Sequence, residues 1–146
     1  MTFENLPDGW DQHPLDDPAL TADVVDLVVG DADRESGCVG LLLLDDHRRL
    51  VQPCVVGDIP PEADPADLVP FLEELARMVA SGGGAVVFAR GRLGSVLLTD
   101  TDRAWHDAAV RACRAGGVPL VGAYLATGAG VRAFPVPLTE LGGLAS

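Results

Sequence analysis

The chain has 146 residues, 48% of them hydrophobic, and a formal net charge of −12, which suits one globular domain with a buried core. The charge is uneven: residues 1–74 hold 18 acidic side chains against 3 arginines, and residues 75–146 hold 4 against 7. Such a balance makes nucleic acid a poor partner, because neutralising phosphates needs a dense cationic surface, and no apolar run approaches the roughly 20 residues of a membrane helix.

The acidic opening MTFENLPDGWDQHP is unlike a secretory signal, so a cytoplasmic setting is expected. Residues 1–19 are rich in Pro, Asp and Gly and read as a flexible arm, with Trp10 as its one large anchor. A short helix is expected from Thr21 to Val29, stopped by Gly30. The run Cys38 to Leu44, CVGLLLL, has the pattern of a strand covered on both faces. A polar turn, Asp45 to Arg49, leads to a second strand from Leu50 to Val56, making a hairpin. After a Pro-rich connection from Gly57 to Asp64, a helix is expected from Leu68 to Ala80 with Asp67 as N-cap. Gly82-Gly83-Gly84 ends it.

A third strand, Ala85 to Phe88, opens into the stretch Ala89 to Asp102, ARGRLGSVLLTDTD. Many α/β enzymes keep their chemistry at such a strand-to-helix loop. This one holds no histidine, cysteine or glutamate. A helix follows from Asp100 to Ala115, with Trp105, Ala108, Ala109 and Ala112 on one face. Gly116-Gly117 stops it, Val118 to Ala126 reads as a strand, and Val131 to Val136 as a last short one. Residues 20–137 therefore make a single α/β domain, a mixed sheet flanked by helices in the order α-β-β-α-β-α-β-β, and residues 138–146 a tail. The three cysteines, Cys38, Cys54 and Cys113, lie far apart without a C-x-x-C pair, which predicts buried free thiols.

The element order and the loop after the third strand resemble the MPN/JAMM (JAB-like) metalloprotease family, especially its RadC-like branch, which implies a JAB/MPN-like, cytidine-deaminase-like fold. In that family the third strand is followed by His-x-His-Pro, six residues, Ser, two residues and Asp; the histidines and aspartate bind zinc, and an upstream glutamate activates water. Paired without gaps, the histidine positions fall on Ala89 and Gly91, the proline on Arg92, the serine on Thr99 and the aspartate on Asp102. Gly117-Val118-Pro119-Leu120 matches the family's lead into the next strand, and Glu35 lies near the place of the family's glutamate. The resemblance thus implies a degenerate member without the zinc-binding histidines. One carboxylate cannot replace a set of three protein ligands, so no metal, other cofactor or catalytic residue is expected.

Thr99-x-x-Asp102 just before a periodic helix also makes a capping box, which explains both residues without any site. Arg90 and Arg92 alternate with glycines and present guanidinium groups suited to a carboxylate or phosphate. His106 lies four residues after Asp102, on one helix edge. The favoured reading is a non-catalytic module that binds a protein or peptide through the vestigial cleft around Arg90, Arg92, Thr99 and Asp102. Two alternatives stand beside it. One is an atypical metal-dependent peptidase or isopeptidase using Glu35, Asp102 and His106. The other is a homodimeric assembly protein joined through hairpin 38–56 or edge strand 131–136.

Overall fold

A computed structural model describes residues 9–135. Its elements are α1 (Pro18–Val28), α2 (Asp31–Ser36), β1 (Cys38–Leu44), β2 (Leu50–Val56), α3 (Val69–Ser81), β3 (Ala85–Gly91), α4 (Asp100–Gly116), β4 (Leu120–Thr127) and β5 (Gly130–Ala133), with 3-10 turns at Trp10–Gln12 and Pro65–Asp67. The strands form one mixed sheet in the order β2-β1-β3-β4-β5. Only β3 and β4 run parallel, and α4 supplies the crossover that this pairing needs.

Two-sided burial of β1 sets the layering. Val39, Leu41 and Leu43 join the core beneath α3 and α4, while Cys38, Leu42 and Leu44 join the core beneath α1. In β3, Val86 and Phe88 face the first core, and Ala85, Val87 and Ala89 the second. A strand with apolar residues at every position is stable only between two covers, so the helices divide between the two faces: α3 and α4 on one, α1 on the other. The hairpin's first strand is therefore interior, while β2 forms one edge of the sheet and β5 the other. Pro53 is tolerated there because an edge strand need not donate on both sides.

Several elements differ from expectation. The helix α2 is absent from the sequence reading because six residues, DADRES, are too few to show a period. It is held by Arg34, which is buried and donates to the carbonyls of Val29 (2.8 Å), Thr127 (2.8 Å) and Asp26 (3.0 Å), and to the Asp26 carboxylate (2.7 Å). Asp67 is not the N-cap of α3. It lies inside the 3-10 turn, whose first N–H is capped by Asp64 at 3.0 Å. Strand β3 extends past Phe88 because β1 keeps pairing with it to the Cys38–Gly91 register. Strand β4 starts at Leu120, two residues late, and β5 ends at Ala133. Within the expected arm, Leu15 is buried and Trp10 packs against the same core, while the rest of residues 9–19 are exposed. The Leu15 N–H donates to the Arg48 carbonyl at 2.7 Å, and α1 starts at Pro18 with Asp17 as cap. Residues 1–8, Val136 and the tail 138–146 lie outside the described residues. Among the described residues no helix is long and apolar enough to cross a membrane.

Helices α3 and α4 touch where α4 is narrowest. A side chain at Gly116 would meet the Ala76 Cβ. Helix propensity alone favours Gly116→Ala by up to about 1 kcal/mol. Overpacking reverses the sign, and a net loss of about 1–3 kcal/mol is expected in urea unfolding.

Candidate binding cleft

The sheet's centre ends at β3 beside the first turn of α4, and there the pleat separates neighbouring residues. Ala89 and Gly91 face the α1 side. Ala89 belongs to that core, and a side chain at Gly91 would collide with Cys38 Sγ and Val29. Arg90 and Arg92 face the other way, towards α4.

Asp102 is the focus of that face. It is fully buried at the third position of α4. Thr99 and Asp102 form a complete capping box: the Asp102 N–H donates to Thr99 Oγ1 at 3.1 Å, and the Thr99 N–H donates to Asp102 Oδ2 at 3.0 Å. Arg92 adds a fork, with Nε donating to Oδ1 at 2.9 Å and Nη2 to Oδ2 at 2.7 Å. Burial by itself raises the Asp102 pKa, but the Arg92 and Thr99 hydrogen bonds and the Arg92 charge outweigh it and hold the carboxyl below the usual aspartate range. The remaining Arg92 donors go to the carbonyls of Leu93 (2.8 Å), Ser95 (2.9 Å) and Leu97 (2.9 Å). All five N–H groups of its guanidinium are used within the protein. Arg92 thus shapes the loop and has no donor left for a partner's carboxylate, the role its sequence position suggested.

Arg90 is placed differently. Its side chain is only 5% exposed. Its guanidinium carbon lies 5.9 Å from the centre of the Trp105 ring, and Nη1 donates to the Cys38 carbonyl at 3.3 Å. Its Nε is 3.8 Å from Asp102 Oδ1, too far for a hydrogen bond, and has no partner. Burial lowers the Arg90 pKa, an effect that Asp102 partly reverses.

Beside this cluster lies a cleft of about 370 Å³, bounded by α2, the connection after β2, the end of β3 and the start of α4. Glu35, Gly37, Ile59, Pro61, Arg90 and Leu93 are among its lining residues. The Ile59 N–H donates to the Gly37 carbonyl at 2.9 Å and fastens the Pro-rich connection over the start of β1. Gly37, at φ +85°, has no room for a side chain, which would run into the Ile59 carbonyl oxygen. Leu93 and Leu97 are 61% and 71% exposed and leave the cleft open.

The structure therefore joins Arg90, Arg92, Thr99 and Asp102 in one cluster and brings Glu35, exposed on α2, to the rim of the same cleft. It does not bring His106 there. That ring stacks on Phe88 at 6.2 Å and meets Phe134 in a tilted contact at 4.7 Å, a turn further along α4. Among the described residues no group of three or more His, Cys, Asp and Glu side chains could hold a metal ion. Burial pushes the Cys38 and Cys113 thiols up to about 11, so neither is poised as a nucleophile. Gly37, Ile59 and Pro61 escaped the sequence reading, although an apolar residue inside a Gly/Pro-rich connection is a signal that the connection is packed. No protein-family model matches the chain, and comparison with curated proteins and with solved structures likewise returns no match.

Three outcomes follow from this geometry. Asp102→Ala leaves two arginines without their anion and removes half of the capping box, so a loss of about 3–5 kcal/mol is expected in chemical unfolding. Thr99→Ala, which removes only the cap, costs about 1 kcal/mol. Burial holds the His106 pKa below 6.5, with Asp107 pulling weakly the other way. The unfolded chain then takes up that proton first, so stability present above pH 6.5 declines as pH falls below it. Stability measured against pH should show a shallower acid-side decline for His106→Gln than for the unsubstituted protein.

Proposed function

We propose that the chain is a non-catalytic module that binds a protein or peptide segment in the cleft between α2 and the end of β3, on a scaffold similar to that of the MPN/JAMM family. The observation that carries this reading is the saturation of Asp102. The Asp102 carboxylate, the one buried acid at the strand-to-helix junction, is held by internal hydrogen bonds from Arg92 and Thr99, while the space beside it is open. The atypical hydrolase has less support, since Asp102, Glu35 and His106 do not converge.

The loop 92–99 suits docking. Arg92 fixes three of its carbonyls, and Arg132 Nη1 donates to the Val96 carbonyl at 3.1 Å from the β5 side. Its two exposed leucines are thus presented on a pre-ordered backbone, which lowers the entropic cost of binding. Apolar side chains exposed together near a cleft are typical of recognition surfaces.

Leu93→Asp with Leu97→Asp tests the reading, because both sites are exposed and folding stability should stay within about 0.5 kcal/mol. A random peptide library panned on the folded protein should yield ligands that bind the double variant about tenfold or more weakly. Equal binding to the variant would contradict the placement of the site.

A further inference from the structure

We infer that the cleft takes a carboxylate carried on a small apolar group, with the Arg90 guanidinium as its anchor. This inference rests on the binding-module reading and names the ligand chemistry. Its basis is a count of charges and hydrogen bonds. Two guanidinium groups, Arg90 and Arg92, share the single carboxylate of Asp102. Arg92 holds both oxygens of that carboxylate, and the Thr99 N–H takes a further position on Oδ2. Arg90 is left with a Coulomb contact at 3.8 Å and an Nε that has no acceptor. A buried donor without a partner costs roughly 1–3 kcal/mol, and more when the group is charged. That Nε is shut off from solvent and faces Asp102. Arg90 as a whole lines the cleft, so an anion entering there adds counter-charge to the guanidinium rather than an acceptor for Nε.

The surroundings select among anions. Trp105 and the Cys38 carbonyl hold the Arg90 guanidinium in place before any ligand arrives. Ile59, Pro61 and Leu93 provide apolar wall, and about 370 Å³ is more than a bare inorganic anion fills. Glu35 stands at the same cleft and opposes a second negative charge on the ligand. A monoanion with an apolar body fits all three features, and a phosphate fits none beyond the charge. The shared chemistry occurs in a free organic acid and in the C-terminal residue of a peptide.

Arginine Nε–H resonances of the full ¹⁵N-labelled chain give a direct test. The probes are N-acetyl-leucine, its amide, a short peptide with a C-terminal leucine carboxylate, the same peptide amidated, and inorganic phosphate. A saturable shift of the Arg90 Nε–H is expected from at least one acid, with the matching amide and phosphate binding about tenfold or more weakly. A response to N-acetyl-leucine assigns the site to small organic acids, and a response to the peptide acid alone assigns it to chain termini. Arg90→Gln should abolish the effect. Glu35→Gln, an exposed change that leaves the fold intact, should strengthen phosphate binding towards that of the acid. Amides or phosphate binding as tightly as the acids would overturn the inference, as would no saturable shift from either acid. If peptide binding sensitive to Leu93 and Leu97 persists in that case, the module reading survives and only the ligand chemistry falls.

Discussion

One carboxylate organises the functional end of this molecule. Asp102 is fully buried under the first turn of α4, where the positive end of the helix dipole and the Thr99 cap both favour its charge. The same side chain receives the Arg92 fork, and Arg92 in turn gathers three carbonyls of the loop that leaves β3. The start of α4, the course of the loop and the end of β3 are therefore one hydrogen-bonded unit. Arg90 stands beside this unit without joining it, its Nε 3.8 Å from Asp102 Oδ1 and beyond hydrogen-bond distance.

The pleat of the sheet decides which residues belong to that unit. Burial of β3 on both faces sends alternate side chains to separate cores, and the alternation continues to the strand's last residue. Arg90 and Arg92 reach Asp102; Ala89 and Gly91 face α1 and α2. This bears on the resemblance to the MPN/JAMM pattern, whose ungapped pairing puts the two histidines at Ala89 and Gly91. In this chain those positions are closed by Cys38, Val29 and the α1 core. The residues that point at Asp102 are the two arginines, one position along.

The sequence made the central elements readable wherever a pattern was local. CVGLLLL announces a strand covered on both faces, the stripe of α4 separates Trp105, Ala108 and Ala109 from the charged face, and Thr99-x-x-Asp102 spells its own capping box. What escaped depends on partners distant in the chain. Residues 89–91 look like loop because the apolar run ends, yet β1 and β4 hold them as strand. Helix α2 survives at six residues because Arg34 ties it to Thr127, 93 positions away. Arg90 and Arg92 are alike in sequence context, and nothing local tells that one is saturated and the other is not. His106 shares an edge of α4 with Asp102, but Phe88 and Phe134 claim its ring.

The division of labour between the two arginines is the central claim, and double-mutant cycles measure it directly. Stability of Asp102→Asn, Arg92→Met, Arg90→Met and the two doubles gives the coupling of each arginine to the carboxylate. A coupling of about 2 kcal/mol or more is predicted for Arg92 with Asp102, and no more than about 1 kcal/mol for Arg90 with Asp102. Equal couplings, or a larger one for Arg90, would show that Arg90 is already paired and would remove the unmet charge from the cleft.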